Sequence, residues 1–185
     1  MVHQTQLIPS ETYSIDTSVF LDIWCPPEGN IFSSERMPEL WAHIERLIDE
    51  GKIIASKEVL DELERNANPE LTAWLKDHKG MFVFSKAQLD AASSIINEFY
   101  SQYKNGYKPE VGDAADPFVV STAMVHSAVV ITQEHRQPAH IPSEVNVPKI
   151  PSVCEHYGIE CVNIEQFITR EGFNIRMVQS EGHPT

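Results

Sequence analysis

Asp16, Asp113, Asp116 and Glu134 each stand near the end or the beginning of an apolar run of the chain, and Glu58 and Glu62 lie on the helix that directly follows another such run. A carboxylate buried there without a hydrogen-bond donor, a cation or water would cost several kcal/mol, so partners are expected. Asp16 closes the strand-forming residues of YSIDTSVFLDIW, and the hydroxyl residues Thr17 and Ser18 follow at once. In KEVLDELERN, Glu58 and Glu62 are four residues apart and share a helix face, with Asp61 and Glu64 turned elsewhere. Asp113 and Asp116 guard the start of GDAADPFVVSTAMVHS, which carries no further charge for more than three helical turns. VVITQE ends on the hydroxyl of Thr132 and the carboxylate of Glu134.

Each of these acids has a plain structural reading. Asp113 or Asp116 can cap exposed helix amides and complement the dipole, worth about 0.5–2 kcal/mol. Glu58 to Glu64 can be a solvated helix face. The reading that unites them is a shared rim. Carboxylates brought together repel and raise one another's pKa unless a cation compensates. An all-oxygen donor set with water at hand suits Mg2+ or Mn2+, which bind through one or two carboxylates each. Two such ions about 3.5–4 Å apart are the usual machinery of metal-assisted phosphodiester hydrolysis. Thr17, Ser18 and Thr132 would position acids or water there, although capping and strand-end hydrogen bonding explain them equally well.

Positioning such a rim falls to the surrounding elements. Thr12 to Ile15 reads as a strand, followed by a helix that Thr17 or Ser18 caps and that Pro26 and Pro27 stop. Pro38 sits near the first turn of a second helix, with Leu40, Trp41, Ile44, Leu47 and Ile48 at helical spacing before Gly51. KIIAS is a strand, KEVLDELERN a helix, and Pro69 opens another that ends near Gly80. MFVFS is the third strand. Lys86 to Tyr103 reads as one long amphipathic helix carrying Leu89, Ala92, Ile96, Phe99 and Tyr103. KNGYKPEVG is a loop. The apolar helix Ala114 to Ser127 leads into the strand AVVIT, the helical SVCEHYG precedes the strand IECVN, and a last helix runs from Ile164 to Arg170. Strands that alternate with helices and read as continuous apolar runs predict a parallel sheet of about five strands covered on both faces, a three-layer α/β/α domain. Ligands of such sheets bind at the carboxyl ends of the strands where chain order reverses. Asp16 and the Thr132–Glu134 segment fall at such ends.

A chain of 185 residues, 42% hydrophobic and 22% charged, suits one soluble globular domain spanning 1–185, with a core of about 12–170 and short flexible tails. The 27 acids against 14 bases give a net charge of -13, which argues against indiscriminate polyanion binding. It leaves room for a nucleic-acid substrate if bound divalent ions reverse the local sign. Cys25, Cys154 and Cys161 form no C-x-x-C and read as buried thiols of a reducing compartment. With no signal-peptide pattern, and no uncharged run reaching the roughly 20 residues of a span, the expected setting is cytoplasmic, away from membranes.

SIDTSVF, EVLDEL and DPFVVSTAMVHSAVVITQE resemble the successive motifs of PIN domains, and the last resembles the VapC-type toxin ribonucleases most specifically. KIPSVCEHYGIECVNIEQF is similar to a PIN-like subgroup, the DUF4411 proteins. The likeness covers roughly Thr12 to Phe167. It implies that Asp16, Glu62 and Asp116 are the principal metal-binding acids and that Glu134 takes the fourth acidic position, where Asp or Asn is commoner. Asp113 is an additional ligand candidate, and Glu58 replaces Glu62 if the alignment is off by one turn. The implied activity is metal-dependent (Mg2+ or Mn2+, one or two ions) endoribonuclease action on RNA, as the toxin of a toxin-antitoxin pair, with a protein antitoxin and a homodimer as partners.

Competing readings are a phosphatase with an Asp nucleophile, which predicts a second Asp where Ser18 stands, and an inactive PIN-like module whose acidic rim holds a basic partner. His135 and His140 have no zinc-site spacing, and no Gly-rich phosphate loop or nucleophilic Ser or Cys motif is visible. Lys57, Arg65, Lys104, Lys108 and Arg136 are candidates for RNA backbone contacts, with Tyr103 and Tyr107 as stacking partners; a solvated surface role is the alternative for each.

Overall fold

The computed structural model describes residues 11–26, 28, 30–103, 107, 115–135 and 148–173. Asp113, Lys104, Lys108, Arg136 and His140 lie outside them, as do nearly all of the expected tails. Short apolar runs form the strands β1 (Tyr13–Ile15), β2 (Ile53–Ser56), β3 (Phe82–Val83), β4 (Val129–Ile131) and β5 (Cys161–Val162). All pair in parallel, in the spatial order β3-β2-β1-β4-β5. Tyr13 sits beside Ile53 on one side and Val129 on the other. The chain steps outward from β1 through β2 to β3, then returns to lay β4 on the free side of β1. Chain order therefore reverses between β1 and β4, as the acids' positions predicted.

Eight helices among the described residues flank the sheet: α1 (Thr17–Trp24), α2 (Pro38–Asp49), α3 (Lys57–Asn66), α4 (Pro69–Asp77), α5 (Lys86–Glu98), α6 (Asp116–His126), α7 (Ile150–Tyr157) and α8 (Ile164–Arg170). The result is the expected three-layer α/β/α arrangement. In α2 the five apolar positions at helical spacing, Leu40, Trp41, Ile44, Leu47 and Ile48, are all buried. Ser56 ends β2 and caps α3 by accepting from the Val59 amide, so no loop separates the two. Asn163 and Gln166 form a reciprocal capping box that starts α8. One hydrophobic core runs from Tyr13 through Ile168.

Four local expectations change. The helix from Lys86 stops at Glu98 and tightens into a 3-10 turn at Tyr100–Gln102. Its buried face is Gln88, Ala92 and Ile95, while Leu89 is exposed. The polar Gln88 is admitted because its amide donates to Thr122 Oγ1 of α6 at 2.9 Å. The helix α1 starts from Asp16 rather than from Thr17 or Ser18. The last turn of α6 surfaces, with Met124 and Val125 exposed. Of the cysteines only Cys154 is buried; Cys25 is exposed and Cys161 partly so.

Candidate functional site

Asp16 follows β1 directly, and its amide donates to Ile131 O of β4 at 3.0 Å, so strand pairing carries it to the reversal point. Although it is the N-cap residue of α1, its side chain makes no capping bond. It turns instead toward two hydroxyls. Thr132 Oγ1 donates to Asp16 Oδ2 at 2.8 Å, and Ser18 Oγ donates to the same oxygen. Each hydroxyl in turn accepts a backbone amide of the turn after β4: Gln133 N to Ser18 Oγ and Glu134 N to Thr132 Oγ1, both 3.1 Å. Asp16 is only 4% exposed. Burial pushes its carboxyl up to about 6; the two hydroxyls pull against that, and the charges of Glu134 and Glu62 add to it.

Glu62 projects from the second turn of α3 and spans a gap between two other elements. Its Oε2 accepts Thr17 Oγ1 at 2.7 Å, and its Oε1 accepts the Ala115 amide at 2.9 Å. Thr17 adjoins Asp16 and Ala115 adjoins Asp116, so one carboxylate straps the neighbours of two others together. Asp116 is the first residue of α6 and is 5% exposed. The N-cap of that helix is Ala115, so Asp116 does not serve as the cap. Ser14 Oγ donates to Val119 O at 2.9 Å and ties the first turn of α6 to β1. The three principal acids expected from the sequence therefore converge on one edge of the sheet.

Glu134 is drawn the other way. Lys149 Nζ donates to its Oε1 and the Ile150 amide to its Oε2 at 2.8 Å, which fastens the start of α7 to the end of β4. Gln133 makes a parallel link, donating to Asp22 Oδ2 at 3.1 Å and accepting the Ile164 amide at 3.2 Å. Glu58 stays at the first turn of α3, half-buried, its carboxyl raised by burial, against which its own backbone amide and Ser56 pull. Lys57 and Arg65 are exposed, and Arg65 Nε donates to Asp61 O. Among the described residues no group of three or more His, Cys, Asp or Glu side chains is placed to hold a metal ion. Beside the rim, past Thr132 and Glu134, a cavity of about 640 Å³ opens at the carboxyl ends of β4 and β5. Lys149 and this cavity were not legible in the sequence, because nothing local to Lys149 announces a partner fifteen residues away.

The sequence matches a family described as a domain of unknown function, DUF4411, over residues 13–175. The chain belongs to the DUF4411 family. The match covers the whole sheet of this DUF4411 protein and every described residue of its rim. No curated protein matches the sequence significantly. Among the described residues of the DUF4411 chain, no helix is long and apolar enough to cross a membrane.

Proposed function

We propose that this DUF4411 protein is a metal-dependent endoribonuclease of the PIN type, the toxin of a toxin-antitoxin pair that acts in the cytoplasm and pairs with a protein antitoxin and a second copy of itself. The supporting observation is the strap: Glu62 joins the residue after Asp16 to the residue before Asp116. The donor chemistry fits Mg2+ or Mn2+. The set is all oxygen, Asp16 and Asp116 are almost wholly buried, and Asp16 carries a carboxyl raised by burial and by two neighbouring acids. Both hydroxyl bonds to Asp16 end on the same oxygen, Oδ2.

Asp16, Asp116 and Glu62 would hold the ion, with Asp113 as a further ligand. When bound, the ion neutralises phosphoryl charge and lowers the pKa of a water at the RNA phosphodiester. Ser18 and Thr132 fix the orientation of Asp16, and burial of the two Asp side chains keeps bulk water from competing. Glu134, committed to Lys149 and Ile150, acts as the residue that seats α7 beside the rim. Purified protein is expected to cut RNA with Mn2+ or Mg2+ and to lose that activity in EDTA and in Asp16→Asn. Expression is expected to arrest growth, and Asp116→Ala to relieve the arrest.

A second reading is an inactive module that holds a basic partner on the rim. On its side stands that no group of three or more His, Cys, Asp or Glu side chains among the described residues is placed to hold an ion. Intact RNA across a broad panel with metal present, and an unaffected host, would decide for this reading.

A further inference from the structure

Glu134 is the rim acid whose partner is already a cation. Lys149 Nζ donates to its Oε1 and the Ile150 amide to its Oε2 at 2.8 Å. The Glu134 side chain is only 15% exposed, which separates this pair from the loose ion pairs of solvated side chains. Backbone bonds fix both ends. Lys149 is the N-cap residue of α7, its carbonyl accepting the Ser152 and Val153 amides at 2.9 and 3.2 Å. The Glu134 amide donates to Thr132 Oγ1, which in turn donates to Asp16 Oδ2. Two hydrogen bonds thus join the residue that Lys149 holds to the central carboxylate of the rim. The Glu134 charge acts on Asp16, as that of Glu62 does, whereas the charges acting on Glu58 are those of Asp61 and Lys57.

The consequence concerns how many cations the rim can take. Two divalent ions about 3.5–4 Å apart repel each other strongly and need several carboxylates between and around them. Each Glu134 oxygen keeps a second lone pair, so what bars an ion there is charge rather than valence: it would stand beside the Lys149 ammonium. With Glu134 neutralised, the uncompensated acids of the described rim are Asp16, Glu62 and Asp116. Before any substrate arrives, their three negative charges exceed one divalent ion and fall short of two. One Mg2+ or Mn2+, bound through one or two carboxylates and keeping several waters, suits that balance.

The geometry points to a rim that takes a single divalent ion, with the Lys149 ammonium holding the carboxylate that a second ion would need. The inference rests on the metal-dependent reading for the first ion, and its test counts ions without RNA. Metal-free full-length protein is titrated with Mn2+, and the free ion is followed by its electron paramagnetic resonance. A chain of net charge -13 also binds Mn2+ loosely over its surface, so the amount that Asp16→Asn combined with Glu134→Gln still binds is subtracted. The native chain is expected to hold one ion and Lys149→Met two. Lys149→Arg, which keeps the charge, should hold one, and Lys149→Met combined with Glu134→Gln should return to one. Lys149→Gln keeps a donor for Glu134 without the charge and should also hold two, which serves if Lys149→Met does not fold.

Two ions on the native chain overturn the inference and, where RNA is cut, leave the ribonuclease reading standing. One ion on the native chain and still one on both charge-free variants also overturns it, since Lys149 then bars nothing. One on the native chain and two on the charge-free variants, with no RNA cut under any condition, keeps the single-ion rim and sinks the ribonuclease instead. No Mn2+ above the surface background in any variant sinks both.

Discussion

At Asp16 two demands oppose each other. The sheet buries the side chain, which favours the neutral acid, while a role in holding a cation needs the carboxylate. The folded carboxyl titrates near 6, against an ordinary Asp value of about 3.9 in the unfolded chain. Between those values the folded protein holds a proton that the unfolded chain has released. Raising the pH through that window therefore favours unfolding, and above it the folded state carries the full penalty, about 3 kcal/mol. Asn in place of Asp16 keeps an oxygen for Ser18 and Thr132 and has no charge to bury. In EDTA at neutral pH, Asp16→Asn is expected to be more stable than the native chain by about 1–3 kcal/mol, while at pH 4 the two should match. Urea unfolding at both pH values measures this. Equal stability at neutral pH would mean that Asp16 is not buried as a charge, and loss of stability would mean that its hydrogen bonds need the carboxylate. A residue that destabilises the resting protein yet is fully supported by neighbours is the pattern expected of a functional site.

The helices take their positions from side chains that reach across the sheet's carboxyl edge, and Glu134 tests this most directly. Glu134→Ala strips an acceptor from the Ile150 amide and from Lys149 Nζ. The loss should be about 1–3 kcal/mol, with faster hydrogen exchange at Val153 and Cys154 in the following turn of α7. Glu134→Gln keeps an acceptor for Ile150 and should cost less. A cost seen only with divalent ion present would make Glu134 a ligand rather than a clasp. At this scale the sequence was informative wherever a single local rule decided the outcome. The periodic face of α2, the abrupt turn of β2 into α3 and the Asn163–Ile164 start of α8 all follow from spacing and capping. The end and face of α5 did not, because Gln88 is buried by a partner on α6 that no local pattern reveals. The places of Asp16 and Asp116 were legible as acids at element ends, whereas Glu62, in the second turn of α3, was singled out only through the resemblance. The strap that links their neighbours, and the diversion of Glu134 to Lys149, depend on contacts between elements remote in sequence.

The whole molecule carries a net charge of -13, and the rim adds carboxylates where a polyanion would have to arrive. Proteins that bind nucleic acid through basic surfaces lose affinity steeply as salt rises, because each neutralised phosphate releases counterions. Here the long-range term has the opposite sign. Of the described bases nearest the rim, Lys149 is paired with Glu134, and Lys57 and Arg65 are solvent-exposed on α3, a helix that also carries Glu58, Asp61, Glu62 and Glu64. Salt should therefore screen repulsion more than attraction, since the Debye length shrinks from tens of ångströms at low ionic strength to about 8 Å at physiological strength. For the proposed reaction at saturating Mn2+, kcat/KM on a short RNA is expected to stay level or to rise as NaCl goes from about 20 to about 150 mM. The binding step then owes its strength to the metal-neutralised rim and to base contacts rather than to a basic groove. A fall of about tenfold or more over the same range would place a cationic surface in the path of the RNA, supplied by the segments that hold Lys104, Lys108 and Arg136 or by a second copy of the chain.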